Sequence, residues 1–279
     1  NAFNDNLYKN ALVLLITFSG ASLLGMSPAI LITLAAGVFI LPYFLFSATA
    51  GQFADKYDKA LLIRRIKFME IIIMGIASIG LITNSIGLLM LALFMMGTQS
   101  AFFGPLKYGI LPDHLNEHEL MGGNAIVETG TFLAILLGTI AGGLLIMVAD
   151  IGPYIIAAGV MTMALLGYLA AWFVPRTKAA APTEKLNPNI VTETWSVMKF
   201  SAHKARIFWA IIGIGWFWLV GATFLAQFPT LTKVWLGGNE QVVTLLLTAF
   251  SVGIGIGSML CNKLTKGEPS PRFVVWGSL

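Results

Sequence analysis

The chain contains 279 residues, of which 57% are hydrophobic and 11% charged, and its formal net charge is +4. Soluble globular domains carry about 25% charged residues, so this composition excludes an ordinary soluble protein and predicts an all-α polytopic membrane protein. Its basic residues lie in short segments between apolar runs, where membrane orientation explains them, and we therefore predict no nucleic-acid partner.

Apolar runs of spanning length recur along the chain and predict eight transmembrane helices. They lie near residues 1–24, 28–53, 66–84, 86–111, 122–148, 153–174, 206–230 and 242–263. A ninth run begins at Arg272. The first run approaches the roughly 20 residues that a bilayer requires only if the polar residues 1–10 belong to it. We therefore expect the chain to begin inside its first helix and to end inside its ninth.

The longest connection between these runs divides the chain into two parts. Residues 175–205 contain several prolines and alternating charges, a composition typical of a linker. We predict a six-helix N-terminal half at 1–174, whose first helix is truncated, and the start of a C-terminal half at 206–279.

Basic residues concentrate in the connections after the second, sixth and eighth spans. These residues are Lys56, Lys59, Arg64, Arg65, Lys67, Arg176, Lys178, Lys185, Lys199, Lys204, Arg206, Lys263, Lys266 and Arg272. Because positively charged loops remain in the cytoplasm, we predict that these connections, including the long linker, are cytoplasmic.

The connection after the second span, residues 51–59, has a pattern that favours a gating loop. Glycine allows helices to approach each other, and an aspartate with neighbouring cations can tie a loop to a helix end and release it. We predict this role for Gly51, Asp55 and Lys59. The pattern resembles the signature loop of the major facilitator superfamily, except that Asp58 stands where that loop has a second glycine. An ordinary basic loop is the alternative.

The fifth span carries a stripe of small residues that can bring helix backbones together. We predict helix packing at Gly138, Gly142 and Gly143. The stripe resembles the antiporter motif of the same superfamily, with Thr139 in place of its proline, so a gating role is the alternative to simple packing.

Two patterns resemble chemical sites without their context. His114, Glu117 and His118 have the spacing of a zinc peptidase motif, but they lie in a short acidic connection. The glycines 253, 255 and 257 lie within an apolar span, where helix packing explains them better than a phosphate loop does. We therefore predict neither a metal ion nor a cofactor.

Polar residues inside the predicted spans are the strongest functional signal, because charges in a membrane interior are costly. Asp5 and Lys9 lie four residues apart on one helix face, and Lys107 lies near the end of the fourth span. The predicted substrate-binding residues are Asp5, Asn6, Lys9, Asn10, Lys107, Asn124, Glu128 and Gln227. The alternative is a set that only neutralises itself. Glu70, close to Lys67, is expected to be a charge at the membrane boundary.

An aromatic cluster occupies the seventh span. Trp216, Phe217 and Trp218 are expected to line a path for an acyl chain, whereas Trp209 and Trp235 are expected to anchor helices at the membrane interface.

Three segments make the resemblance more specific: residues 1–12, 104–111 and 123–128. They look like the bacterial lysophospholipid transporter family of the major facilitator superfamily, in particular the form fused to an acyltransferase and acyl-ACP synthetase. The resemblance implies a twelve-helix fold, of which this chain is a fragment with about eight helices. It also implies that lysophospholipids, such as lysophosphatidylethanolamine, move to the cytoplasmic leaflet of the bacterial inner membrane by alternating access, for re-acylation there.

Two other functions fit the sequence. The first is a proton-coupled exporter of amphiphilic compounds, suggested by Glu128 near the glycine stripe. The second is a membrane anchor or scaffold for a fused or associated acyltransferase. No enzyme active site is expected within these residues, because the His-x-x-x-x-Asp signature of such acyltransferases is absent. Any catalytic domain is expected beyond Leu279.

Overall fold

The computed structural model of the chain describes residues 1–18, 25–183, 185–238, 240–266 and 273. These residues form α-helices and no strands, which confirms the predicted all-α fold. The helices are α1 (Ala2–Phe18), α2 (Pro28–Lys56), α3 (Lys59–Ile82), α4 (Ile86–Gly109), α5 (Leu111–His114), α6 (Leu120–Ile146), α7 (Gly152–Ala171), α8 (Ile190–His203), α9 (Ala205–Thr230) and α10 (Glu240–Thr265). A π-helical turn, Leu231–Trp235, follows α9.

Several helices begin where the sequence supplies an N-terminal signal. Pro28 opens α2, where a missing backbone N–H costs nothing. Asp58 caps α3 by accepting hydrogen bonds from the backbone of Ala60 and Leu61. Asn189 caps α8 in the same way.

Five described helices are long and apolar enough to cross a membrane, at Ile30–Lys56, Ile86–His114, Leu120–Ile146, Gly152–Ala171 and Leu245–Thr265. The α8–α9 pair, bent by 114°, would add a sixth. Two predicted spans fall outside this set: α1 is described over only 17 residues, and the first half of α3 carries many charges. The predicted ninth run lies outside the described residues, apart from Phe273. This number of spans indicates a multi-pass membrane protein.

The helices pack in a few dominant pairs. Helix α1 packs against α6, α2 against α4, α3 against both α4 and α7, and α10 against α6. The main apolar core lies chiefly between α1, α3, α4 and α7. In this core Tyr8 is fully buried, and its hydroxyl donates a 2.8 Å hydrogen bond to the carbonyl of Leu89. Together with the 2.8 Å hydrogen bond from Ser100 to Asp5, this bond aligns α1 antiparallel to α4.

Glycines allow α1 to lie directly on α6. A Cβ at Gly138 would collide with the carbonyl oxygen of Phe3, and one at Gly142 would collide with that of Leu7. A Cβ at Gly143 would lie 3.0 Å from the side-chain nitrogen of Asn10. At Gly130 the same addition would meet nothing within 4 Å. The backbone contact with α1 therefore occurs at Gly138 and Gly142 and not at Gly130.

The segment 175–205 contains helix α8 and is partly attached to the N-terminal half. The backbone N–H of Asn187 donates to the Gln52 side chain at 2.8 Å, and that of Ala181 donates to the carbonyl of Asp55, also at 2.8 Å. This segment therefore lies against the end of α2.

Candidate functional site

A group of polar side chains is buried between α1, α3 and α4, and we call it the buried polar cluster. It consists of Asn4, Asp5, Lys67, Glu70, Gln99 and Ser100, none more than 7% exposed. The side chain of the half-buried Asn1 completes it by donating to Gln99 at 2.8 Å. Each member lies on a helix whose other buried residues are mainly apolar, so the cluster is a polar island in the core.

Lys67 and Glu70 form the centre of the cluster. The Lys67 ammonium lies 2.7 Å from Oε2 of Glu70, and Asn4 donates to Oε1 of Glu70 at 3.1 Å. Gln99 donates to the same carboxylate at 3.3 Å. The expectation that Glu70 is a boundary charge was wrong, because partners on three helices satisfy its carboxylate and allow its burial.

Only one of the two carboxylate oxygens of Asp5 has a hydrogen-bond partner among the described residues. Its Oδ2 accepts a 2.8 Å hydrogen bond from the Ser100 hydroxyl. Its Oδ1, and the Oδ1 of Asn4, are buried without a hydrogen-bond partner in the described structure. Lys9 lies one turn further along α1, but its ammonium is placed 4.2 Å from the centre of the Phe39 ring on α2. No ion pair within 4 Å joins Lys9 to Asp5 in the described ranges. A buried acceptor and a cation thus remain available close to each other.

A second polar group joins α4 to α6 through Lys107, Tyr108, Glu128 and Thr131. The Lys107 ammonium donates to the Thr131 hydroxyl at 3.2 Å, and the Tyr108 hydroxyl donates to Glu128. In a regular helix Ser100 and Lys107 lie on nearly the same face, about 10 Å apart along the axis. One face of α4 therefore connects this α4–α6 group with the buried polar cluster.

The remaining predicted substrate-binding residues belong to neither of these polar groups. Asn6 and Asn124 donate to carbonyls of their own helices, at 2.7 and 2.9 Å. Asn10 donates to the carbonyl of Thr139 on α6 at 2.7 Å. Gln227 is exposed on α9. The charged candidates thus lie in two groups, with Asp5 in the buried polar cluster and Lys107 and Glu128 in the α4–α6 group.

The sequence analysis missed Asn1, Asn4, Gln99 and Ser100. Each is an uncharged polar residue, and single amides and hydroxyls are tolerated in helices far more easily than charges. A usable signal exists nonetheless: three predicted spans each place polar residues near the same end, at 1–10, 67–70 and 99–100. Their coincidence indicates a shared polar layer.

The predicted gating loop makes one clear tie to a neighbouring helix end. The Lys59 ammonium lies 2.9 Å from Oδ2 of Asp113 on α5. Asp55 is exposed, and only its backbone carbonyl contributes, to Ala181. A Cβ on Gly51 would meet nothing within 4 Å. The ion pair at Lys59, rather than a close approach at Gly51, connects this loop to the rest of the N-terminal half.

Asp58, which replaces the second glycine of the superfamily pattern, holds the turn in another way. Its φ of −56° is open to any residue, so glycine is not required there. Partial burial alone would raise the pKa of Asp58, but hydrogen bonds from the backbone of Thr177, Leu61 and Ala60 outweigh it and lower the pKa below its ordinary value. The carboxylate therefore caps α3 and ties the linker to it.

An apolar groove of about 330 Å³ lies between α3 and α4. Ile66, Met69, Ile73, Phe94 and Met95 line most of it, together with Gln99. Because Gln99 also belongs to the buried polar cluster, the groove joins an apolar surface to that cluster. A separate aromatic contact joins α6 to α9, where Phe132 stacks on Trp218 with ring centres 5.7 Å apart.

The two patterns that resemble metal and phosphate sites lie in different surroundings, a short exposed connection and a helix contact. No three His, Cys, Asp or Glu side chains in the described ranges are grouped to hold a metal ion. The Gly255 carbonyl accepts a 3.4 Å hydrogen bond from Thr129 on α6, so this glycine lies at a helix contact.

Comparisons with known proteins agree with this architecture. A family model described as Major Facilitator Superfamily matches residues 2–278. The chain is 31% identical over 248 residues to a protein of Salmonella gallinarum named lysophospholipid transporter LplT, which covers 87% of this chain and 59% of that protein. A protein of the same name from Salmonella heidelberg is 30% identical over 250 residues, with the same coverage of both chains. The resemblance found in the sequence is thus confirmed, although the chain spans 59% of the length of these relatives. The chain belongs to the Major Facilitator Superfamily.

Proposed function

We propose that the intact protein is a secondary transporter that flips lysophospholipids, such as lysophosphatidylethanolamine, across the bacterial inner membrane toward the cytoplasmic leaflet. The observation that carries this proposal is the buried carboxylate of Asp5, which has one oxygen without a partner in the described structure. The names of the relatives support the substrate class.

The unpaired groups match the two charges of the proposed headgroup. A lysophosphatidylethanolamine head carries an ammonium and a phosphate, and each loses water on entering the protein. Oδ1 of Asp5 can accept the ammonium. Lys9 and Lys107, which form no ion pair in the described ranges, can receive the phosphate. Glu128 offers a second carboxylate at the α4–α6 polar group.

The single acyl chain has an apolar path beside this head. The groove between α3 and α4 is lined almost entirely by apolar side chains and reaches the buried polar cluster at Gln99. The stacked pair Phe132 and Trp218 offers a second apolar surface where α6 meets α9. The acyl chain can remain against either surface, or in the surrounding lipid, while the headgroup moves.

Transport then follows the alternating access of this superfamily, in which two halves rock about a central site. In this mechanism the pair of Lys59 and Asp113 holds the cytoplasmic side of the N-terminal half together during rocking. The basic connections, including the linker at 175–205, lie in the cytoplasm. A fused or associated acyltransferase then re-acylates the delivered lysolipid, with the acyl group supplied as acyl-ACP by the synthetase. This last step rests on the sequence resemblance alone.

The test measures translocation of fluorescent lysophosphatidylethanolamine by the intact protein in vesicles. Asp5→Ala removes the carboxylate, and Asp5→Asn removes only its charge while keeping an acceptor for Ser100. Because a hydrogen bond to a charged group contributes about 1.5–3 kcal/mol, we expect both variants to lose about tenfold or more of the initial rate. Ser47→Ala is the matched control, since among the described residues that hydroxyl bonds only to the Tyr43 carbonyl of its own helix.

Undiminished transport in both Asp5 variants would remove this residue from the mechanism. The same vesicles, measured with the proton gradient collapsed, separate the proposal from a proton-coupled exporter, because transport unaffected by collapse counts against the exporter. If wild-type protein moves no lysolipid in any gradient, the transport proposal itself fails and the anchor alternative is favoured.

A further inference from the structure

A second groove lies on the outer side of the N-terminal half, where the beginning of α3 meets the end of α7. Its volume is about 620 Å³, and its charged lining consists of Arg64, Arg65 and Arg176. Phe68, Tyr168 and Trp172 supply aromatic walls. No acidic side chain is among the described lining residues. The groove therefore combines positively charged side chains with aromatic and apolar ones.

The three guanidinium groups differ in what they already bind. Arg64 donates to the carbonyls of Ala171 and Val174, at 3.3 and 3.1 Å, so it closes the C-terminal end of α7. Arg65 and Arg176 are exposed and form neither an ion pair nor a hydrogen bond within the part of the chain that the structure describes. Arg65 and Arg176 are thus available to bind an anion, whereas Arg64 holds the end of α7 against α3.

None of the described lining residues of this groove belongs to the buried polar cluster, although Met69 also lines the apolar groove between α3 and α4. Lys67 and Glu70 are buried on the inward face of α3, whereas Arg65 and Phe68 are exposed on its other side. Trp172 is 56% exposed and its neighbour Phe173 is 88% exposed, as expected for side chains that face lipid. Aromatic and basic side chains mixed in this way are typical of the membrane–water interface.

We propose that this groove binds an acidic phospholipid, such as phosphatidylglycerol or cardiolipin, from the membrane leaflet that contacts the basic loops. Arg65 and Arg176 bind the phosphate diester, because a planar guanidinium can donate two parallel hydrogen bonds to phosphate oxygens. Phe68 and Trp172 contact the first part of the acyl chains. Basic pockets between transmembrane helices bind acidic lipid headgroups on the cytoplasmic side by this chemistry.

The test uses the intact protein in nanodiscs with dibrominated phosphatidylglycerol or dibrominated phosphatidylcholine, and reads quenching of Trp172 fluorescence. Subtracting the signal of Trp172→Phe isolates this residue from the other tryptophans. We expect stronger quenching by the acidic lipid, and less of that preference at high salt. In the double variant Arg65→Gln/Arg176→Gln the preference should disappear, since each basic residue near a membrane surface contributes about fivefold in affinity.

Arg206→Gln is the matched control, because it removes an exposed guanidinium outside the groove and should leave the preference unchanged. Arg64 is kept in all variants so that α7 retains its closed end. Equal quenching by the two lipids, or an unchanged preference in the double variant, overturns the proposal. Loss of the preference on adding inorganic phosphate at constant ionic strength also overturns it, because the site would then bind a free anion. Lysolipid transport is not part of this readout, so the two proposals fail independently.

Discussion

The Ser100 hydroxyl on α4 donates a 2.8 Å hydrogen bond to Oδ2 of Asp5 on α1 and leaves the other carboxylate oxygen buried without a partner in the described structure. The Ser100 oxygen also accepts a 3.1 Å hydrogen bond from the side chain of Asn1, while its single proton is used by Asp5. The hydroxyl therefore connects Asp5 to the rest of the buried polar cluster, and it orients the carboxylate that we assign to the substrate ammonium.

Ser100→Ala should slow lysolipid translocation by about tenfold, because Asp5 loses the donor that orients it and such a bond to a charged group is worth about 1.5–3 kcal/mol. Initial rates in vesicles measure this effect. Ser100→Thr keeps the hydroxyl and should restore most of the rate. A rate unchanged in Ser100→Ala would show that the orientation of Asp5 does not depend on this bond.

Glu70→Gln should destabilise the protein by about 3–5 kcal/mol, because it leaves the Lys67 ammonium buried without its counter-charge. The double variant Lys67→Met/Glu70→Met should lose less free energy of unfolding than Lys67→Met and Glu70→Met lose together, since it removes both charges. Unfolding in detergent with increasing denaturant measures the free energies.

Glu117→Gln serves as the control for this cycle, because Glu117 is exposed in the short connection before α6. It should change stability by less than about 0.5 kcal/mol. If Glu70→Gln is no more destabilising than this control, the pair is not a structural element of the core.

Glu70, which was expected at the membrane boundary and is instead buried, separates what local sequence can predict from what it cannot. The helices themselves follow from local signals: the apolar runs, Pro28 at the start of α2, and the capping aspartate Asp58. The burial of Glu70 depends instead on Asn4 and Gln99, which lie on two other helices far away in the chain. Local sequence contains no information about the antiparallel register of α1 and α4 that brings these partners to one depth. The charged candidates could therefore be found, but not the network around them.

Gly138→Ala should destabilise the protein by about 1–3 kcal/mol, because the added Cβ collides with the Phe3 carbonyl and overpacked contacts cost this much. Gly130→Ala lies on the same helix, meets nothing within 4 Å, and should be neutral or stabilising by up to about 1 kcal/mol, since alanine favours helix more than glycine does. Thermal unfolding of the two variants side by side measures the difference. Equal effects would mean that α1 and α6 do not touch at Gly138.

Lys59 and Asp113 should show a coupling energy of about 1 kcal/mol in a double-mutant cycle built from Lys59→Ala and Asp113→Ala. The Lys59 side chain is nearly buried whereas that of Asp113 is partly exposed, so salt should weaken the coupling without removing it. Stability measured at low and high ionic strength tests both points. If the pair also acts in gating, each single variant should change the transport rate more than the double charge exchange Lys59→Asp/Asp113→Lys does.

Asp58→Ala should lower the free energy of unfolding by about 1 kcal/mol at neutral pH, because α3 loses its N-cap and the linker loses its tie at Thr177. Asp58→Asn keeps a capping oxygen and should recover most of the loss. The effect should also depend on pH in a defined direction. The pKa of Asp58 is lower in the folded protein than its ordinary value of 3.8, so the ionised carboxylate stabilises the fold at every pH above that value.

As the pH falls below 3.8 and passes through the lowered folded pKa, Asp58 becomes protonated and its contribution disappears. The difference in unfolding midpoint between wild type and Asp58→Ala should therefore stay constant above this value and shrink below it. Asp58→Asn has no charge to lose, so its difference from Asp58→Ala should not change with pH. A wild-type advantage that persists unchanged at the lowest pH would show that the hydrogen bonds to Asp58 do not depend on its charge.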